Sequence, residues 1–417
     1  MADTTSLATV QRSLGDPHLT YPLWPPLTRG CPQTSSPDMA YPVEVDYDYA
    51  RLAAHDFLHP RAVPVSADGA GIRASGGLDR WAPLLPPLAA PGLGEGGTPL
   101  IALRDGVFVK DESRNPTWSH KDRLNRVAVS AAHAVGAPGI VVASSGNHGA
   151  SAAAYAARAG LRCVVLGSPD MSPVVHSFLT AYGAVVLPVP VASRWPLSRR
   201  IAERFGFHTV SNQTPFHTGH PFGPEGYKTV AYEIAAELGV PAAVFMPTGY
   251  GELLFGVGKG FAELRRLGLT DRVPRLFSCE PTAGGPLAAA VRMGVPATRV
   301  ELGPTEAYGI DCPVGGYRGV LALKGSDGRA LLVDDRQMRT AQRELGDQGM
   351  WVELSAAAGL AGLRSLGEAA SAFEGPVVCI ATSSGFKDIG VGSGIVTPAD
   401  PEWEAVERVL LEAGFEG

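Results

Sequence analysis

The chain has 417 residues, 45% of them hydrophobic and 18% charged, and a formal net charge of −6. That balance excludes a disordered chain and leaves length for two or three domains. It gives no footing for nucleic acid or an anionic membrane surface as a partner, and no run of about 18 apolar residues offers a membrane span. The five cysteines (Cys31, Cys163, Cys279, Cys312, Cys379) are scattered, without a C-x-x-C pair. This argues against a disulfide framework and a zinc site, so no metal is expected. No basic segment leads into an apolar run at the start, and a cytoplasmic location is expected.

Residues 1–88 are rich in Pro, Ser and Thr, with short periodic pieces such as "VEVDYDYARLAAHDFL". They read as an N-terminal extension, partly irregular, packed on the body. From "GGTPLIAL" onward, short apolar runs alternate with Ala-rich helical segments. "GIVVASSG" is a buried strand ending in a small-residue turn. "HGASAAAYAARAG" is a helix closed by Gly160, and "RCVVLGS" the next strand. "PVVHSFLTAYG" is a helix ending at Gly183, and "AVVLPVP" a strand again. This rhythm predicts parallel sheet with right-handed crossovers. The unit recurs as strand "AAVFMPTG", helix "LLFGVGKGFAELRRLG", strand "RLFSCEP" and helix "PLAAAVRMG", and "GPVVCIATSSG" closes the set. Continuous Val/Ile/Ala runs fit strands buried on both faces. "GVGKGF" lies inside a helical pattern and reads as a packing feature.

Three turns after apolar strands are loaded with Gly, Ser, Thr and Asn: "ASSGNHGAS" (143–151), "PTGYGELLFG" (247–256) and "ATSSGFKD" (381–388). In open α/β sheets ligands bind at the carboxyl ends of strands. A glycine turn opening a helix offers free N–H groups and the positive end of the dipole, so "TGYGE" is a phosphate cradle candidate. The nucleoside-triphosphate loop G-x-x-x-x-G-K-[ST] and the dinucleotide fingerprint are both absent. "NPTWSHKDRLNR" (115–126) places Lys121 just after a turn-forming Asn-Pro pair. A buried lysine loses its charge through desolvation, and its amine can then attack a carbonyl. With a phosphate cradle, this points to pyridoxal 5'-phosphate.

The order N-P-T-x-S-x-K-D-R, S-G-N-x-G, E-G-x-K-T, glycine turn and late T-x-x-G-x-K-D resembles the tryptophan-synthase-β-like (fold type II) pyridoxal-phosphate enzymes. Within them it resembles threonine synthase, over roughly residues 90–395. The resemblance implies an α/β fold of two three-layer αβα domains with mostly parallel sheets and the cofactor in the cleft between them. The larger would hold 89–124 and 216–400, the small mobile one 125–215, and 401–417 a C-terminal helix. It makes Lys121 similar to the Schiff-base lysine, and Asn147 to the asparagine beside the pyridine 3′-oxygen. Ser144, Ser145, Gly146 and His148 match the loop gripping the substrate α-carboxylate. Gly249, Tyr250, Gly251, Glu252 and Leu253 match the cofactor-phosphate loop, and Thr382 the hydroxyl facing the pyridine nitrogen. A homodimer acting on a small amino-acid substrate is implied as well.

The departures bear on the substrate. The lysine motif usually carries Gly at 118, Phe at 120 and Gly at 124; here stand Trp118, His120 and Leu124. Trp118 and His120 are candidate substrate contacts, with a hydrogen-bonded core histidine the alternative reading of His120. The N-P-x-R-x-E-G-x-K-T block has an arginine that holds the substrate phosphate; here that position is Gly223, and the asparagine is His220. No glycine replaces a bidentate guanidinium. Lys110, Arg114, Lys228 and His220 are the remaining candidates for an anion, and Tyr317 and Arg318 lie in a further loop near the substrate. The expected activity is a threonine synthase-like lyase or transferase acting on an amino acid with a phosphorylated or acylated side chain, its specificity altered. A serine/threonine dehydratase or β-replacement synthase is the alternative. A catalytically silent subunit is the reading from another class, and the joint presence of Lys121, Asn147 and Thr382 speaks against it.

Overall fold

The apolar runs become parallel strands because neighbouring residues point to opposite faces and both faces are covered. The computed structural model describes residues 6–52, 57–58, 77–387 and 402–415. Parts of the expected N-terminal extension (1–5, 53–56 and 59–76), the end of the expected large domain (388–400), and residues 401, 416 and 417 lie outside the described residues. The chain divides into two compact units, Met1–Lys387 and Asp388–Gly417. The second contains helix α11 (Trp403–Glu412).

In the first unit, β1 (Ala8–Ser13), β2 (Thr20–Pro22) and β3 (Val43–Tyr47) form an antiparallel sheet in the order β2-β1-β3. The sequence reading left this stretch partly irregular, because prolines break its alternation. Gln11 supplies what the prolines cannot: its side-chain amide nitrogen, Nε2, donates to the carbonyls of Pro22, Leu23 and Pro25 at 2.9, 3.1 and 3.0 Å.

The chain then enters β4 (Leu100–Ala102), β5 (Val107–Asp111) and α1 (Lys121–Ala134). Next come β6 (Gly139–Val142), α2 (Asn147–Arg158), β7 (Arg162–Gly167), α3 (Pro173–Ala181), β8 (Val185–Pro188), α4 (Val191–Phe205) and β9 (His208–Thr209). These four strands pair in parallel in the order β8-β7-β6-β9. The chain continues through α5 (Gly223–Leu238), β10 (Ala243–Pro247), α6 (Glu252–Arg266), β11 (Arg275–Pro281), α7 (Pro286–Met293) and α8 (Tyr317–Gly325). It ends with β12 (Arg329–Val333), α9 (Asp335–Gly346), α10 (Ala358–Ser365) and β13 (Val377–Ala381). The larger sheet runs β12-β11-β10-β13-β5-β4, parallel except for β4. Val244, Met246, Leu276 and Ile380 join the α5, α6 and α8 side of its core. Their neighbours Phe245, Phe277 and Cys379 join the α9 and α10 side. The fold class is α/β with mostly parallel sheets.

Close helix packing sets the position of the site. A Cβ at Gly226 would lie 2.0 Å from the Arg123 carbonyl oxygen, and one at Gly256 would lie 2.6 Å from both the Pro224 carbonyl and Tyr227 Cβ. Glycine at these points lets α5 lie flush between α1 and α6. The "GVGKGF" segment is thus a packing feature: Gly260 meets the Lys228 carbonyl in the same way. The N-terminal sheet is tied to this helix pair by buried charge. Lys259 bridges Glu44 (3.2 Å) and Glu225 (2.8 Å), and the Tyr47 hydroxyl donates to Glu225 at 3.0 Å.

Candidate active site

Lys121 is the first residue of α1, and the turn before it is held from several sides. Thr117 gives its N–H and hydroxyl to Asp122 at 2.6 and 2.5 Å, and Ser151 on α2 adds a hydroxyl at 2.6 Å. Burial raises the Asp122 pKa to about 6 against these bonds. The turn keeps a left-handed backbone at Trp118 (φ 59°), the conformation glycine adopts without strain. Trp118 is fixed there by its N–H to Asn115 O (2.8 Å) and by Ser384 N–H to its own carbonyl (3.0 Å). Its ring stacks at a tilt on Phe178 of α3, centroids 5.3 Å apart.

The Lys121 amine donates to the Tyr227 hydroxyl at 3.2 Å. Burial lowers its pKa from the ordinary lysine value, against smaller upward pulls from Glu252 and Cys312. His120 stacks on Tyr227 at 5.3 Å, and its Nδ1 lies 3.1 Å from the Thr382 carbonyl, which can only accept. That fixes the proton on Nδ1. Burial, then Lys121, hold this imidazole neutral, well below its ordinary pKa. Thr382 directly follows β13 and so brings the third polar turn against the lysine turn, where Ser119 and Ser383 pair as a bridge.

The turn 144–148 joins β6 to α2. Ser144 Oγ accepts the Gly146 N–H (3.3 Å), and Ser145 Oγ accepts the Ser168 N–H (2.6 Å). The N-terminus of α2 at Gly146 has no side-chain cap. Asn147 donates to Glu353 at 3.0 and 3.2 Å and accepts from Lys387. Lys387 also donates to the Thr117 carbonyl at 2.8 Å, joining this turn to the lysine turn. His148 donates through Nε2 to Val210 O (3.1 Å) and accepts from Asn125 at 3.2 Å; burial pushes its pKa down to about 3.

The glycine turn joins β10 to α6. A Cβ at Gly249 would lie 2.8 Å from Cys312 Sγ, and one at Gly251 (φ 84°) 2.9 Å from Gly319 Cα. Gly251 caps α6 without a side-chain bond, so the first N–H groups of the helix are left without a side-chain partner. Leu253 is buried in the core, and Tyr250 stacks flat on His217, centroids 4.0 Å apart. Glu252 turns toward Arg318 at 3.4 Å; burial raises its pKa while Arg318 and Lys121 pull it down.

Two expected contacts are not brought here. Lys110 is fully buried against Glu233 (2.8 Å) and the Thr98 carbonyl (2.5 Å). Lys228 is buried between Glu225 (2.8 Å) and Glu263 (2.9 Å), over the Tyr47 ring. Both ammonium groups are consumed by structural ion pairs, so neither is a substrate contact as expected. His220 is likewise engaged, 2.9 Å from His208. Arg318 donates to the Thr218 and Val43 carbonyls. Sequence reasoning missed Tyr227, His217, Glu353 and Lys387. Tyr227 sits within the "PEGYKT" block and Lys387 within the late "GFKD" block, which were the available signals.

A family model for pyridoxal-phosphate dependent enzymes matches residues 92–383, and the chain belongs to that family. Its curated relatives include the threonine synthase of Methanosarcina acetivorans, 32% identical over 330 residues, with 74% of this chain and 80% of the relative covered. The threonine synthase of Synechocystis sp. is 33% identical over 383 residues, covering 86% and 96%. Among solved structures, O-ureido-L-serine synthase matches with a TM-score of 0.57 at 25% identity, covering 74% of this chain and 96% of that one. The family cofactor is pyridoxal 5'-phosphate, and the residues present fit it. The glycine turn leaves room for backbone only, the start of α6 has no side-chain cap, and Lys121 offers a desolvated amine.

Proposed function

We propose that the protein is a threonine synthase-like lyase or transferase acting on an amino acid with a β- or γ-leaving group, with altered substrate specificity. The observation that carries the altered specificity is a reciprocal exchange across two helices. A Cβ at Gly223 would lie 2.9 Å from Leu124 Cγ. Leucine therefore fills the space where the resemblance places an arginine opposite a glycine, and an apolar contact replaces a phosphate clamp. Lys110 and Lys228 do not compensate, being paired elsewhere.

When bound, pyridoxal phosphate supplies an electron sink for negative charge at Cα. Its phosphate would rest on the N–H groups at 249–253, its ring beside Asn147 and Thr382, and its carbonyl carbon at Lys121. A hydroxyl at Thr382 does not enforce a protonated ring nitrogen, which favours elimination and replacement over transamination. The uncapped start of α2 suits the substrate α-carboxylate. Lys121, its pKa lowered by burial, moves the proton at Cα, and Tyr227 orients its amine. Segment 125–215 acts as a small domain whose closure excludes water. We assign a homodimer and a cytoplasmic location as part of the same reading.

A β-replacement synthase or dehydratase is the second reading. The missing clamp and the likeness to O-ureido-L-serine synthase favour it. The test offers the cofactor-loaded protein phosphohomoserine, phosphothreonine, serine, threonine and O-acetylated amino acids, with products identified by mass. The expected result is turnover of an amino acid other than phosphohomoserine, lost in Lys121→Ala. Threonine formed from phosphohomoserine alone would overturn the altered specificity.

A further inference from the structure

We propose that Arg194 and Asp311 recognise a second, zwitterionic reactant, an amino acid, over the His217–Tyr250 platform. The inference rests on the reading of Lys121 as the cofactor lysine. The platform is built from two elements: His217 from the segment before α5 and Tyr250 from the glycine turn, stacked at 4.0 Å with planes 7° apart. Trp195 of α4 closes its edge, 6.4 Å from His217 and 6.3 Å from Tyr250. Tyr250 belongs to the glycine turn that opens α6, so the platform adjoins the candidate cofactor site.

Arg194 precedes Trp195 on α4 and acts electrostatically on Tyr250. Among the described residues it has no acceptor, and its Nε is buried without a partner. The more deeply buried arginines are paired: Arg123 with Glu112 and Glu233, Arg126 with Glu95, Arg318 with Glu252. Arg80, Arg126, Arg199 and Arg318 also carry a buried Nε without a partner, but each donates through another guanidinium nitrogen; among the described residues of that set, Arg194 alone has no acceptor.

Asp311 is the matching exception of opposite sign. It lies in the loop that packs on the glycine turn, where Ile310 Cα and Cys312 Sγ crowd Gly249. Its Oδ1 is buried and has no donor among the described residues, and burial raises its pKa. Asp311 also acts on Tyr250, yet Arg194 and Asp311 form no ion pair with each other. A cation and an anion, both partly desolvated and held apart around one aromatic platform, are completed by a ligand carrying both charges. The α-carboxylate of the first substrate is served elsewhere, at the start of α2, so a second amino acid is the class that fits. In the replacement the bond from the side-chain carbon to the leaving group breaks, with the electron pair departing on that group. The nucleophilic atom of the second amino acid bonds to the carbon, and its proton passes to the leaving group. Nothing is oxidised or reduced.

The test is isothermal titration of the cofactor-loaded protein with N,N-dimethylglycine, a zwitterion whose tertiary amine cannot react with the cofactor, and with N-acetylglycine, an anion alone. A charge-assisted hydrogen bond is worth about 1.5–3 kcal/mol, or roughly 10–100-fold in affinity. Arg194→Gln is expected to weaken both probes by about that factor, and Asp311→Asn to weaken dimethylglycine only. Equal binding of the two probes by the wild type, or affinities within about twofold in both variants, would overturn the subsite. The underlying reading fails separately, and the reactant role with it, when Lys121→Ala leaves the visible absorbance of the loaded protein unaltered.

Discussion

At Lys121, burial alone lowers the amine's pKa, and a single hydroxyl holds its direction. Tyr227 is the positioning residue: it is fully buried, stacked on His120 and bonded to the amine. Tyr227→Phe removes that bond without opening a cavity. A bond of this kind is worth about 1 kcal/mol, so kcat should fall by roughly tenfold or somewhat less, with KM and Tm little moved. Steady-state kinetics on the amino acid found to turn over would show it. A loss confined to KM would contradict a role at the amine. Lys121 stood out as a candidate in the sequence because its own turn and two distant polar turns carry their chemistry in residue type. Tyr227 did not, because its meeting with Lys121 depends on how tightly α5 lies on α1. Lys110 and Lys228 were misread for a related reason. A sequence shows a charge but not the carboxylate that neutralises it, and Glu233 and Glu263 lie on other elements.

Between elements, the Leu124–Gly223 exchange couples α1 to α5 across a contact no wider than one side chain. Gly223→Arg alone drives a side chain into Leu124, an overpacking that costs about 1–3 kcal/mol. Leu124→Gly alone removes a buried side chain and places a glycine in a helix, at a cost of about 3–6 kcal/mol. The double variant should recover at least about 1 kcal/mol relative to the sum of the two, because each change relieves the other. Urea unfolding of the four proteins measures this coupling. The double variant should also gain affinity for phosphohomoserine by about tenfold or more, since it regains a guanidinium. Strict additivity and no gain in affinity would show that the two positions do not form one subsite. The substitutions themselves were visible in the sequence. That they fill each other's space was not, since the two positions are a helix and a whole sheet apart along the chain.

Over the whole molecule, the parallel sheets were the most legible feature. Runs such as "VVCIA" and "AVFMP" are apolar on every residue, which only strands covered on both faces require. The N-terminal antiparallel sheet was the least legible, because Gln11 replaces the backbone pairing its prolines forfeit. Its attachment also runs through long-range charge, Glu44 and Tyr47 meeting Lys259 and Glu225. All of these parts converge on one claim, that the desolvated amine at the start of α1 is where the cofactor is held. The most direct measurement is reduction of the cofactor-loaded protein with borohydride, followed by peptide mass mapping. The account predicts a phosphopyridoxyl adduct on the peptide containing Lys121, absent in Lys121→Ala. An adduct on another lysine, or none in a protein that binds the cofactor, would contradict it.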